Sequence, residues 1–139
     1  MTISRFEDIA AWQDARELTK SVYQCTSRAS LSRDFGLRDQ IRRAAGSVMH
    51  NIAEGFDSGS DVEFVRFLRY AQRSCTEVQS ELYVALDQKY ISDLQFQALF
   101  DQASKTRSKI GGFIKYLLSS TRDKRRRTTK DEKTKDMLK

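Results

Sequence analysis

The chain has no proline in its 139 residues, two cysteines and one histidine. Without proline, nothing in the sequence forces a helix to break, because proline removes an amide donor and its ring clashes with the preceding turn. Cys25 and Cys75 lie far apart and outside any CxxC pair. They spell out neither a disulfide framework nor a zinc motif, and they read as small buried hydrophobes in a reducing compartment. His50 has no second histidine to work with. A di-iron bundle needs Glu-x-x-His on two helices, and the position three before His50 is Ser47. No metal and no cofactor are therefore expected. "GFDSGS" lacks the Lys-Ser/Thr end and the preceding strand of a phosphate loop. A Cys75–His50 pair has no third group to orient it, so no enzyme is expected. Neither a signal-like N-terminus nor an apolar run of about 18 residues is present, which points to a cytoplasmic protein without membrane contact.

Charge is present, but unevenly. Residues 120–139 hold nine Lys or Arg against four Asp or Glu, so five of the six net positive charges fall there. That segment has almost no apolar residue before Met137 and is expected to be a flexible basic tail. Residues 1–119 are nearly neutral and long enough for one domain with its own core.

Within them the apolar residues recur every three or four positions. Phe6, Ile9, Trp12, Ala15, Leu18, Val22 and Cys25 mark a first helix over 5–29, with Ser4 and Glu7 as a capping box. Leu37, Ile41, Ala44, Ala45, Val48 and Ile52 mark a second over 35–54, with Gly55 as its C-terminal glycine. Phe64, Phe67, Leu68, Ala71, Cys75, Val78, Leu82 and Ala85 mark a third from a Ser60–Glu63 box to about 88, and Phe96, Leu99, Ala103, Thr106, Ile110, Phe113 and Leu117 a fourth beginning at a Ser92–Gln95 box. Four helices with short connections predict an all-α, antiparallel up-down-up-down four-helix bundle over 1–119.

The stretch "RRAAGSVMHNIAEGF", residues 42–56, is poor in side-chain bulk and carries Asn51 and Glu54 one turn apart. Gly46 costs about 0.5–1 kcal/mol of helix propensity relative to alanine. Tight packing within the protomer, a subunit contact and a ligand contact each explain the small residues. Asn51 and Glu54 read as a structural polar network.

"FEDIAAWQDARELTKSVY", "FGLRDQIRRAAGSVMHNIAEGF" and "EFVRFLRYAQRSCTEVQSELYVA" together resemble the four-helix-bundle proteins encoded by intervening sequences within bacterial 23S rRNA genes. More distantly they are similar to the accessory protein of diversity-generating retroelements. The resemblance covers residues 5 to 118 and leaves the basic tail outside. It implies four-helix protomers assembled as barrel-like homopentamers. The retroelement protein binds nucleic acid and a reverse transcriptase through a basic surface, so the resemblance also implies RNA association. Met49 and His50 stand where the family usually has proline and serine. The restored amide donor predicts a straighter second helix.

Arg38, Arg42, Arg66, Arg69 and Arg73 are candidates for a basic patch across the second and third helices, and Lys124, Arg125, Arg126 and Arg127 for a second cluster in the tail. Lys and Arg clusters bind phosphates without sequence preference and with strong salt dependence. Several identical tails in one oligomer would add avidity. Two functions follow from the sequence: a homo-oligomeric accessory protein that binds RNA or DNA, or an interaction module for a partner protein encoded nearby.

Overall fold

The computed structural model describes residues 3–138, without the side chains of 122–128, 130–133 and 136. Four α-helices follow one another: α1 Ala10–Thr26, α2 Phe35–Asp57, α3 Asp61–Asp87 and α4 Asp93–Met137. They touch in cyclic order, α1 with α2, α2 with α3, α3 with α4, and α4 with α1. Cross-helix hydrogen bonds show the antiparallel run of the α1–α2 and α3–α4 pairs. Thr19 and Thr26 of α1 meet Ala45 and Arg42 of α2. Gln72 and Gln79 of α3 meet Arg107 and Ser104 of α4. The molecule is the antiparallel up-down-up-down bundle that the periodicity predicts.

The helix starts combine confirmation and correction. Ser92 and Gln95 form the full reciprocal box. Ser60 accepts from the Glu63 amide, and Asp34 caps α2 from the Leu37 amide. The Ser4–Glu7 box does not form. Phe6–Asp8 is a 3₁₀ turn, α1 starts after Ile9, and Glu7 pairs with Arg5. Ile9 is buried, so packing rather than a cap sets the entry of α1. A second 3₁₀ turn, Ala29–Arg33, takes up the end of the segment expected to be helical to residue 29.

The core forms two clusters. Trp12, Val48, Ile52, Phe64, Leu68, Cys75, Ile110 and Leu117 belong to one, and Leu18, Val22, Ile41, Val78, Leu82 and Leu99 to the other. Small and hydroxyl-bearing residues lie at the level between them. Ser74 donates to Ser47 across the α2–α3 seam, and Thr19 donates to the Ala45 carbonyl across the α1–α2 seam.

Gly55 has a role other than the expected helix stop. α2 runs past it to Asp57, and the positive φ that turns the chain falls on Gly59, at +81°. Gly55 is buried, and a Cβ there would lie 2.8 Å from Phe64 Cδ1 and 2.9 Å from Phe67 Cβ. It is glycine because α3 crosses against it. Gly46, by contrast, would place a Cβ at an ordinary 3.6 Å from the exposed His50 ring, so packing within the protomer does not demand a glycine there.

Among the described residues the last buried residue of α4 is Leu117, and its helical backbone is assigned to Met137. The side chains of Lys124, Arg125, Arg126 and Arg127 lie outside the described residues. At 1.5 Å per residue, residues 118 to 137 extend about 30 Å past the last core position of α4.

Glu81 is a charged group held against the packed face of α3. It lies two turns on from Ser74, and its Oε2 is buried without a hydrogen-bond partner among the described residues. Burial, with Glu77 one turn away, pushes its carboxyl up from 4.5 to about 7.

Two outcomes are expected. Gly55→Ala should destabilise the fold by about 1–3 kcal/mol, because neither phenylalanine backbone can retreat freely. Gly112→Ala, where a Cβ meets nothing within 4 Å, should gain about 0.5–1 kcal/mol from helix propensity. Urea titrations of both variants check the pair, and equal effects would refute this account of Gly55. The second outcome concerns pH. Glu81 binds its proton more tightly in the folded state than in the unfolded chain. Its contribution to stability is thus full below pH 4.5 and declines as pH rises through about 7. Melting temperatures should show Glu81→Gln gaining on the wild type between pH 5 and 8. A constant difference across that range would exclude Glu81 as the titrating group.

Candidate nucleic-acid interface

The arginines singled out in the sequence do not form one patch. Arg38 and Arg42 belong to the side of α2 that faces the α1–α2 connection. Arg38 pairs with Asp39 at 2.9 Å, donates to the Ser32 carbonyl, and lies 4.8 Å from the Phe35 ring. Arg42 donates to Thr26 Oγ1 at 2.7 Å and Ser27 Oγ at 3.0 Å while stacked 4.6 Å from the Tyr23 ring. The Arg42 guanidinium clasps the end of α1 to α2, and that of Arg38 ties α2 to the connection before it. Arg66 is also engaged, with Glu63 and the Tyr70 hydroxyl.

Arg69 and Arg73 lie on α3 toward the opposite seam, the one with α4. With Gln72 and Thr76, one turn apart on the same helix face, they line a groove of about 330 Å³. Its far wall carries Arg107 of α4. Gln72 Nε2 donates to the Arg107 carbonyl at 3.3 Å and lies 3.1 Å from where a Gly111 Cβ would be. The glycine thus leaves room for the amide that ties the two walls together. None of the three arginines pairs with a carboxylate among the described residues. Arg73 packs 5.7 Å from the Tyr70 ring, which holds the guanidinium without neutralising it.

Three unneutralised guanidinium groups on two walls of one groove suit a phosphodiester. Each offers a planar fork of donors matched to phosphate oxygens. Arg107 escaped the sequence reading. Its signal was available: it follows Thr106, on the stripe of α4 that faces the core, and therefore sits at the edge of the seam.

Asn51 donates to both the carbonyl and the hydroxyl oxygen of Ser47, and Ser47 also receives the Ser74 hydroxyl. This small network joins α2 to α3. Glu54 is exposed and takes no part in it. Cys75 sits inside the core, where burial pushes its thiol up to about 12. Cys25 is half-buried and also pushed up, mainly by burial. His50 is exposed on α2, so no thiol–imidazole pair is poised for nucleophilic chemistry. Among the described residues no group of three His, Cys, Asp or Glu could hold a metal ion, and no helix is long and apolar enough to cross a membrane.

The sequence matches the family model described as 23S rRNA-intervening sequence protein over residues 7–112. The fold is similar to the crystal structure of a Bacteroides thetaiotaomicron protein of unknown function from the S23 ribosomal protein family. That comparison has a TM-score of 0.70 at 19% identity and covers 76% of this chain and 99% of the other. No curated protein matches the sequence.

Proposed function

The chain belongs to the 23S rRNA-intervening sequence protein family, and on that premise we propose that it is a non-catalytic, cytoplasmic accessory protein that binds RNA as a homopentamer. The observation that carries the reading is the α3–α4 groove, where Arg69, Arg73 and Arg107 converge without carboxylate partners among the described residues. Exposed guanidinium groups without a carboxylate partner among the described residues are available to phosphates. Binding through them is electrostatic, releases counterions and weakens steeply with salt. The basic segment beyond residue 120 would add further contacts, and five copies on one particle would convert weak single contacts into avid binding.

Fluorescence anisotropy with a short structured RNA, titrated with salt, tests the reading. Reversing all three charges, Arg69→Glu with Arg73→Glu and Arg107→Glu, should weaken binding at least about tenfold at low salt. It should also flatten the salt dependence by roughly 0.7–0.9 for each phosphate no longer engaged. Removing residues 120–139 should weaken binding further. Light scattering should place the particle near 80 kDa, about five times the 16.1 kDa chain. Binding that ignores the triple reversal would overturn the assignment of the groove and favour a protein partner.

A further inference from the structure

We infer that the α3–α4 seam is built for single-stranded rather than duplex nucleic acid, with phosphates in the arginine groove and an unpaired base stacked on an aromatic cluster farther along the seam; this rests on the reading of the groove given above. The cluster is Tyr83 of α3 with Phe96 and Phe100 of α4. Tyr83 lies 4.9 Å from Phe96 and 5.9 Å from Phe100 between ring centroids, and the two phenylalanines lie 5.3 Å from each other. Phe96 and Phe100 are partly buried against the core, whereas Tyr83 is 51% exposed. The tyrosine ring therefore rests on a rigid base and turns part of its surface to solvent.

Its position gives the cluster its meaning. Arg69, Gln72, Thr76, Gln79 and Tyr83 recur at three- and four-residue spacing and form one stripe of α3 along the α4 seam. Gln79 Nε2 donates to the Phe100 carbonyl and to Ser104 Oγ, which fixes the stretch between the arginines and the aromatic rings. From Thr76 to Tyr83 is about 10 Å along the helix, a span that a few nucleotides of single strand cover. Phosphates held by Arg69, Arg73 and Arg107 would bring the neighbouring bases to Tyr83.

A duplex gains nothing from such an arrangement, because its base faces are already stacked inside the helix. Single strands leave those faces open, and proteins that bind them combine a positive track with aromatic platforms. Exposed apolar surface on its own would equally suit a protein. The three arginines without carboxylate partners, on the same α3–α4 seam about two to three turns away, favour a polyanion with aromatic bases.

The test compares a fluorescein-labelled oligouridylate with a blunt RNA duplex of the same length, using the full chain at low salt. Tyr83→Leu keeps an apolar side chain over the phenylalanines but removes the π face, while Tyr83→Phe keeps the ring. Wild type should prefer the single strand. Tyr83→Leu should lose about tenfold on the single strand, in keeping with the usual loss of one stacked base, and little on the duplex. Tyr83→Phe should bind as wild type. Equal affinity for the two probes, or a Tyr83→Leu variant that binds the single strand as well as wild type, would overturn the stacking proposal. If the arginine reversals still abolished binding in that case, the groove reading would survive. If they too had no effect, both would fall.

Discussion

The close approach of α2 and α3 sets the geometry of everything around it. At Gly55 the two helices come so near that a single methyl group would collide with Phe64 and Phe67. Farther along, the Ser47–Ser74–Asn51 hydrogen bonds satisfy polar groups of the seam. An interior packed this densely has no slack to redistribute. The position of α3 is thus fixed by α2, and the outward stripe of α3 is fixed with it. The groove at the α3–α4 seam is the indirect product of a contact on the other side of the same helix.

That arrangement also separates two kinds of arginine. Arg42 commits its donors to Thr26 and Ser27 and its planar face to Tyr23, so it acts as a structural clasp. Arg69, Arg73 and Arg107 bind no such set of partners across their seam. Exposed ion pairs contribute little to stability, so the lack of carboxylate partners at these three costs the fold little, while like charges across a narrow groove repel one another. A bound polyanion would relieve that repulsion. The groove therefore has an electrostatic reason to be occupied that the α1–α2 clasp lacks.

The sequence made the bundle legible because its apolar stripes are long and no proline interrupts them. Ser92 and Ser60 announced their helices through local chemistry that needs only three or four residues. Gly55 was misread for a physical reason: a glycine near a helix end is often a stop, and only the partner helix reveals that this one is a close contact. The Ser4–Glu7 box was misread because burial of Ile9 outweighs a cap. The arginine groove was half legible. Arg69 and Arg73 were named, but they were grouped with Arg38 and Arg42 because the sequence shows which helix a charge occupies and not which seam it faces. Arg107 needed the register of α3 against α4, which Gln72 and Gln79 set through long-range hydrogen bonds.

Charge alone gives a nucleic-acid binder affinity without a fixed position. Position requires different chemistry at successive points along one track, and α4 supplies such a track. It carries Phe96 and Phe100 near its start and Arg107 near the middle of the bundle, and its backbone continues as helix through the basic stretch to Met137. From Phe100 to Arg107 is about 10 Å along the axis, and from Arg107 to Lys124 about 25 Å more. If the seam takes a single strand as proposed, base stacking at one end and phosphate contacts at the other would fix where along the seam the strand sits.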